Sequence, residues 1–262
     1  MSTLPVAATP SLHARNVSLS FGGLHVLHDI SMDMRPGEIT GLIGPNGAGK
    51  TSFFNCLTGL YTPQKGAIQL GERHLENLPP AGRAALGFSR SFQHVALCPE
   101  LNIIENVMIG LHRQSSAGWL TAFLPLASGR LERNKNREQA MSALQRLGIA
   151  DVAYQSPSQL PPGVLRLAEI ARAISGDPKV LLLDEPAAGL NSVETHDLAM
   201  ALKKLRAPDL ILVVVEHDMD LIMDVCDTLH VLNVGRVLAS GHPDDIRVDP
   251  EVVKVYLGDD DE

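Results

Sequence analysis

Cysteines, aromatic residues, basic charge and long apolar runs are all scarce in this sequence. Only three cysteines occur in 262 residues, and Cys56, Cys98 and Cys226 have no spacing typical of a disulfide pair or a metal site. This usage favours a reducing compartment, with a buried thiol as the simplest expectation for each. The formal net charge of −8 argues against a nucleic-acid-binding surface, which normally carries an excess of Lys and Arg.

No segment has the length of a membrane span. The longest apolar runs, residues 180–183 and 210–215, are strand-sized, whereas a transmembrane helix needs about 20 apolar residues. Residues 1–11 contain no Lys or Arg and no apolar core of signal-peptide length, and we expect them to form a flexible tail. With 45% hydrophobic residues the chain is able to build a sizeable core, and we expect it to reach a membrane only through another protein.

The strongest positive signal is the sequence GPNGAGKT at residues 44–51, which matches the phosphate-binding pattern Gly-x-x-x-x-Gly-Lys-Ser/Thr. Gly44, Gly47 and Gly49 permit backbone turns that a side chain would obstruct, so that consecutive N–H groups point at a phosphate. Lys50 brings a positive charge to the β and γ phosphates, and the Thr51 hydroxyl is placed to bind Mg²⁺.

The surroundings of this motif predict the same function. Residues 38–43 indicate a buried strand and residues 51–60 have helical spacing, so the glycines join a strand to a helix N-terminus that itself attracts anions. A purely structural glycine turn would not require Lys50 and Thr51. The sequence therefore predicts a nucleoside triphosphate as the ligand.

A second apolar run, KVLLLDEP at residues 179–186, ends in two carboxylates. Because its apolarity is continuous, we expect a central parallel strand, with Asp184 and Glu185 at the sheet edge where α/β proteins bind ligands. Solvated acids at a strand end are the alternative. With a phosphate loop upstream, we interpret Asp184 as holding Mg²⁺ through water and Glu185 as orienting and polarising the attacking water.

Spacing alone leaves the roles of three further residues open. His217 follows the buried strand 210–215 and is either structural or near enough to reach the γ-phosphate. Phe21 ends an alternating strand that begins at Leu12, and its ring is either part of the core or a platform for adenine. Gln93 lies in the segment RSFQHV, which is a surface loop by default.

Residues from about 97 to 161 differ in character and predict a helical subdomain inserted in the α/β body. Helical spacing occurs at 102–111 and 138–147, and Gly148 is a stop signal after the second helix. Between them, the apolar stretch 119–126 indicates core rather than a partner surface. A helix over 192–206, a hairpin turning at Gly235 and an acidic tail at 259–262 complete the pattern.

Taken in order, these motifs resemble the ATP-binding subunits of ABC transporters over residues 12–258. The match comprises GPNGAGKT, the Gln93 loop, LPPGVLRLAEIARAI, LLLDEP, AAGLN and EHDMD. The segments NCLTGLY, RSFQHV, DEPAAGLN, EHDMDLIM and a terminal YLG are similar to the LivG-type subunits of the branched-chain (hydrophobic) amino acid uptake group.

The resemblance implies an α/β fold: a P-loop nucleoside triphosphatase core with an antiparallel β subdomain and the inserted helical subdomain, in one domain over residues 12–258. It implies an ATPase bound peripherally at the cytoplasmic face of the bacterial inner membrane. Its partners would be a second ATPase subunit, paired head to tail around two ATP molecules, two permease subunits and, indirectly, a solute-binding protein. Nucleic acid is not among the implied partners.

The resemblance also implies residue roles. Phe21 would stack on adenine, Gln93 would sense Mg²⁺ and contact the permease, and His217 would be the switch histidine that acts beside Glu185. The residues that would hold ATP are Gly44, Pro45, Asn46, Gly47, Ala48, Gly49, Lys50, Thr51, Ser52 and Gly163. Those that would hold Mg²⁺ are Thr51, Gln93 and Asp184.

The signature motif departs from the family pattern Leu-Ser-Gly/Tyr-Gly-Gln, because residues 160–164 are LPPGV. In the family this motif acts in trans, on ATP held by the partner. Pro161 lacks the serine hydroxyl and neither proline has an N–H, so Gly163 alone keeps its backbone donor, and we expect a helix from Gly163 onward. Losing one charge-assisted hydrogen bond would slow that ATP site by about ten- to a hundredfold. We therefore hypothesise that the two ATP sites of the dimer are unequal. The competing hypothesis is that proline in place of the signature serine has almost no effect.

Other functions are compatible with parts of the pattern. Lipopolysaccharide export uses an ATPase of similar length that also ends near YLG. An ATPase acting on ribosomes or DNA would need two fused cassettes or a long coiled coil and a basic surface. A partner subunit that mainly binds nucleotide, and hydrolyses it weakly or not at all, fits the altered signature but not the intact Lys50, Asp184, Glu185 and His217.

Overall fold

The computed structural model describes residues 9–91, 96–113 and 127–257. Its strands are β1 (Leu12–Phe21), β2 (Leu24–Met34), β3 (Ile39–Ile43), β4 (Lys65–Leu70), β5 (Arg73–His74), β6 (Phe88–Arg90), β7 (Val180–Asp184), β8 (Ile211–Val215), β9 (Thr228–Asn233) and β10 (Arg236–Gly241). Its α-helices are α1 (Lys50–Thr58), α2 (Pro80–Ala85), α3 (Ile103–Ile109), α4 (Ala127–Arg146), α5 (Pro162–Ile174), α6 (Ser192–Leu205), α7 (Met219–Val225), α8 (Pro243–Arg247) and α9 (Pro250–Leu257). Gln93, the apolar stretch 119–126 and the acidic tail lie outside the described residues.

The chain divides into two compact units. The first comprises Met1–Phe88, Lys179–Glu185 and Arg206–Glu262, and the second comprises Ser89–Pro178 and Pro186–Leu205, as far as those ranges are described. The chain therefore leaves the first unit and returns to it twice. Within the described helices, none is both long and apolar enough to cross a bilayer.

Two sheets lie in the first unit, except for the last two residues of β6, which the division assigns to the second unit. The smaller sheet is antiparallel with strand order β2-β1-β4-β5, and the larger has the order β10-β9-β3-β8-β7-β6. Strands β7, β8, β3 and β9 run parallel, and β10 returns antiparallel to β9. The predicted α/β fold with an antiparallel β part is confirmed, and the parallel arrangement brings the carboxyl ends of β3, β7 and β8 to one edge.

Continuous apolar runs form the central strands, as their sequences predict. Every residue of β3, β7 and β8 is buried, because both faces of these strands are covered. The helix α1 packs Phe53, Phe54 and Leu57 into the same core, which also contains apolar residues of β1, β2 and β4. This packing holds the segment between β3 and α1 in place.

Helices α3 to α6 form the second unit. Asn102 caps α3 by accepting a hydrogen bond from the Glu105 amide at 3.0 Å, while the Glu105 side chain accepts one from the Asn102 amide, also at 3.0 Å. Helix α4 is longer than its apolar spacing predicts, because residues 127–137 are mostly polar and give no periodic signal. Gly148, with φ 75°, lies just beyond its end as predicted, and α5 begins at Pro162, one residue before the predicted start.

Candidate functional site

The loop between β3 and α1 requires glycine at its two ends. Gly44 has φ 149°, and a β-carbon there would lie 2.1 Å from the carbonyl oxygen of Leu232. Gly49, with φ 102°, is the residue that precedes α1, and a β-carbon there would lie 2.8 Å from Cδ2 of Leu27. The loop backbone at these two glycines therefore packs directly against neighbouring residues, with no space for a side chain. The loop leads into the N-terminus of α1, and a helix N-terminus attracts anions.

Lys50 is the first residue of α1, and its side chain folds back over the loop. Its Nζ donates hydrogen bonds to the carbonyl oxygens of Gly44 at 2.6 Å and Pro45 at 3.1 Å. Burial lowers the pKa of Lys50, while the charges of Glu185 and Asp184 act in the opposite direction and raise it. The loop thus carries a largely buried cation that lies within the electrostatic field of the two carboxylates at the end of β7.

Asp184 and Glu185 lie at the end of β7 with different backbone conformations. Asp184 is buried and pairs in register with Val215 of β8, whereas Glu185 has the positive φ of 46° that is uncommon outside glycine. The Glu185 amide donates to the carbonyl oxygen of Val215 at 2.8 Å, which stabilises this conformation. A residue other than glycine in this conformation carries about 1–3 kcal/mol of backbone strain, which persists only where the surroundings enforce it. Backbone strain of this kind is typical of reactive sites.

Strand β8 continues into Glu216 and His217 at the same edge. Glu216 is fully buried, and its Oε2 accepts hydrogen bonds from the amides of His217 at 3.0 Å and Asp218 at 3.4 Å. Asp218 in turn caps α7 by accepting a bond from the Leu221 amide at 3.0 Å. The His217 ring is exposed, with Nδ1 3.7 Å from Oε2 of Glu216. The buried Glu216 therefore fixes the turn that presents His217 to solvent.

Phe21 lies at the exposed end of β1 rather than in the core. Phe21 is 46% exposed, while Val17 and Leu19 of the same strand are buried. The Tyr61 ring meets it edge to face, with ring centroids 5.1 Å apart and planes at 75°. A flat apolar surface therefore remains available at Phe21, supported from one side by Tyr61.

Gly163 lies in the second unit, near the start of α5. Its amide donates a hydrogen bond to Oε1 of Glu194 at 2.9 Å. The donor that Gly163 keeps in the LPPGV segment is thus engaged by a carboxylate of the same unit. Gln93, another predicted site residue, lies outside the described residues.

Thr51 and Asp184 supply suitable oxygen ligands for Mg²⁺. Thr51 is exposed in the first turn of α1, and the Asp184 carboxylate lies at the end of β7. In the described part of the chain, no three His, Cys, Asp or Glu side chains group together to hold a metal unaided. A hydroxyl and a carboxylate fit Mg²⁺ nonetheless, because this ion is commonly bound by one or two carboxylates together with substrate phosphates.

A phosphate loop on a parallel sheet, two carboxylates on a nearby strand and a histidine at the same edge define a P-loop nucleoside triphosphatase. The family model described as "ABC transporter" matches residues 27–188, so the chain belongs to the ABC transporter family, as an ATP-hydrolysing subunit. A second model, "Branched-chain amino acid ATP-binding cassette transporter", matches residues 236–262.

Individual proteins resemble the chain over nearly its whole length. The high-affinity branched-chain amino acid transport ATP-binding protein LivG of Salmonella typhimurium is 42% identical, over 95% of this chain and 98% of that protein. The lipopolysaccharide export system ATP-binding protein LptB of Acidithiobacillus ferridurans is 33% identical, over 95% and 97%. A crystal structure of the ADP conformation of an ATP-binding cassette superposes with a TM-score of 0.82 at 28% identity, over 95% and 98%.

Sequence reasoning assigned no role to four residues that the structure places beside predicted site residues. Tyr61 supports Phe21, Glu216 orients the turn before His217, Glu194 engages Gly163 and Gly235 bonds to the phosphate loop. Gly235 had a signal in the sequence as the predicted hairpin turn, and Glu216 and Tyr61 lie in the family-like segments EHDMD and NCLTGLY, which did not indicate these contacts. The other three contacts could not be predicted from the sequence, because they depend on the tertiary fold or on the direction of a side chain.

Proposed function

We propose that this ABC ATPase subunit powers the import of branched-chain or other hydrophobic amino acids. The observation that carries the proposal is the buried Lys50 in a glycine loop, within the field of Asp184 and Glu185 at one sheet edge. The LivG and C-terminal family matches support the solute class, because identity to LivG exceeds that to the lipopolysaccharide exporter. The chain would act at the cytoplasmic face of the bacterial inner membrane, bound peripherally to its partners.

ATP would lie along the phosphate loop, with adenine on Phe21. Residues 44–52 would bind the phosphates through loop amides and the N-terminus of α1. Nζ of Lys50 donates hydrogen bonds to the carbonyl oxygens of Gly44 and Pro45. When ATP binds, we expect the Lys50 ammonium to bond to β and γ phosphate oxygens, because these acceptors are negatively charged whereas carbonyl oxygens are neutral.

Hydrolysis would take place between the loop and the ends of β7 and β8. Thr51 and Asp184 would hold Mg²⁺, together with Gln93, and the bound ion would neutralise charge on the β and γ phosphates. Glu185 would accept a proton from the attacking water. His217, exposed on the turn held by Glu216, would contact the γ-phosphate.

The full assembly would pair this chain head to tail with a second ATPase subunit. Each ATP would then contact the phosphate loop of one subunit and the signature segment of the other. Two permease subunits would couple this dimer to transport, and a solute-binding protein would deliver the amino acid. Residues 12–258 would act as a single ATPase domain within this complex, with the second unit contributing the signature.

The experiment that tests the proposal is ATP turnover at several protein concentrations, by the chain alone and mixed with a second ATPase subunit. Glu185→Gln is the blank, because the amide cannot take up the proton. Turnover that depends on Glu185 supports the proposed ATPase site, and equal turnover by wild type and Glu185→Gln contradicts it. Uptake of labelled leucine by vesicles containing the complex, with Lys50→Ala as the blank, tests the solute class; ATP turnover without leucine uptake would contradict that part.

A further inference from the structure

The amide of Gly163 is covered by the Glu194 side chain of its own unit. Oε1 of Glu194 accepts the Gly163 hydrogen bond at 2.9 Å. A β-carbon placed on Gly163 would lie 2.8 Å from Cγ and 2.9 Å from Cβ of Glu194, so the side chain rests directly on the glycine. Gly163 is buried as a result, although Pro161 and Pro162 before it are exposed.

The second oxygen of Glu194 anchors the carboxylate at its own helix. Oε2 accepts a hydrogen bond from the Asn191 amide at 3.1 Å, and Oδ1 of Asn191 accepts from the amides of Val193 and Glu194, both at 3.0 Å. This reciprocal cap fixes the Glu194 side chain at the start of α6. One carboxylate therefore joins the first turns of α5 and α6, where the positive ends of both helices favour a negative charge.

The segment LPPGV makes this contact more important than an ordinary helix cap. Pro161 precedes α5 without a side-chain cap, and the prolines at 161 and 162 have no N–H to donate. Gly163 is thus the first backbone donor of α5. The Glu194 carboxylate is therefore an anion bound to the same Gly163 amide that a phosphate would have to reach.

We propose that Glu194 binds the Gly163 amide in cis and must be displaced before that amide binds the terminal phosphate of ATP carried by a partner subunit. The inference rests on the proposed function, in which the signature segment acts in trans. Glu194 is a positioning residue in this scheme, because it governs the donor without touching the reacting atoms. A phosphate cannot share the site, since Glu194 occupies the hydrogen bond, fills the space and repels negative charge.

The test is ATP-driven self-association of the full chain in a Glu185→Gln background, where ATP is not consumed. Glu194→Ala frees the Gly163 amide, and we expect the dissociation constant of the ATP-bound dimer to fall by about tenfold, the worth of a charge-assisted hydrogen bond. Glu194→Gln keeps the shape and removes the charge, so its dimer should have an intermediate dissociation constant. The measurement is sedimentation velocity with Mg²⁺ and ATP, and again with nucleotide omitted.

Glu105→Ala is the matched control, because Glu105 occupies the same capping position on α3 and has the same reciprocal bonds with Asn102. It should leave dimerisation unchanged while costing similar helix-capping stability, which thermal unfolding measures. Unchanged or weaker association in both Glu194 variants, or no ATP-driven association in any variant, would overturn the inference. Failure of the proposed function would be seen separately, as no binding of ATP to the wild-type chain in calorimetry with Lys50→Ala as the blank.

Discussion

The amide of Gly235 donates a hydrogen bond to the carbonyl oxygen of Ala48 at 2.9 Å, which ties the turn between β9 and β10 to the phosphate loop. The carbonyl oxygen of Gly235 accepts a bond from the His28 amide at 2.7 Å on its other side. A β-carbon on Gly235 would lie 2.3 Å from the carbonyl oxygen of Val26. The hairpin of β9 and β10 therefore holds the phosphate loop in position at Ala48. This contact depends on the conformation of the turn at Gly235.

Val234, the neighbour of Gly235 in this turn, is expected to lower stability. It has φ 44° and is 74% exposed, so a β-branched side chain takes a left-handed conformation without compensating packing. Asn tolerates this conformation, and Val234→Asn should raise the free energy of unfolding by about 1 kcal/mol. Urea denaturation measures the change. Val248→Asn is the control, because Val248 is 73% exposed but has φ −103°; an equal gain there would contradict the explanation.

Arg83 is expected to be essential for the stability of α1, the helix that follows the phosphate loop. Its buried guanidinium donates to the carbonyl oxygens of Cys56, Leu57 at 2.7 Å, Leu75 at 2.8 Å and Leu78 at 3.2 Å. Two of these carbonyls belong to the last turn of α1. An ammonium cannot reproduce the planar fork of donors, so Arg83→Lys should cost about 2–4 kcal/mol in the free energy of unfolding, measured by urea denaturation.

Arg35→Lys is the matched control for this prediction. Arg35 is exposed, and its Nη1 lies 3.8 Å from Oε1 of Glu38, so the substitution should change stability by less than about 0.5 kcal/mol. Equal losses in the two variants would show that the buried carbonyl network is not the cause.

Stability is expected to fall in alkaline solution because of Cys56. Burial raises the pKa of its thiol from 9.0 to about 11, with Arg83 acting weakly in the opposite direction. A raised pKa in the folded state means that the stabilisation is complete below pH 9 and is lost as the pH rises towards 11. The free energy of unfolding should fall by about 2–3 kcal/mol across this window from Cys56.

Cysteine variants separate this effect from other alkaline titrations. Burial also raises the pKa of Cys226, so Cys56→Ala should flatten the pH dependence and Cys56→Ala/Cys226→Ala should flatten it further. Cys98→Ala, at a residue that is not fully buried, should retain most of the slope. Guanidinium denaturation from pH 8 to pH 11 provides the measurement, and identical slopes in all variants would refute the assignment.

Phe21 and Tyr61 are expected to differ in their effect on nucleotide affinity. If adenine stacks on Phe21, Phe21→Ala should raise the dissociation constant of ATP by about tenfold, since stacking of a base on a ring is worth about 1–3 kcal/mol. Tyr61→Ala should have a smaller effect, because Tyr61 only supports the Phe21 ring, and Tyr61→Phe should have none. Calorimetric titration tests this, with Tyr154→Ala in the second unit as the control; a larger loss at Tyr61 than at Phe21 would contradict the arrangement.

Much of the fold and part of the site follow from local sequence. The apolar runs predicted β3, β7 and β8, because continuous burial requires continuous apolarity. The glycines of residues 44–49 predicted the loop, since only glycine fits beside the carbonyl oxygen of Leu232 at Gly44. The strand–loop–helix order and the two carboxylates at the end of β7 then predicted a nucleotide site without reference to the rest of the chain.

Tertiary structure decided what surrounds each of these motifs. The sequence left Phe21 between core and ligand surface, because strand periodicity cannot show that the strand end lies exposed beside Tyr61. It left Gly163 as an available donor, because nothing local relates it to Glu194, 31 positions further along the chain. The sequence by itself determined which groups are present and on which strand or helix they lie, since propensity and hydrophobic pattern act over a few neighbours. Only the tertiary structure decided which of those groups are already bonded to one another, because packing brings together residues that are distant in sequence.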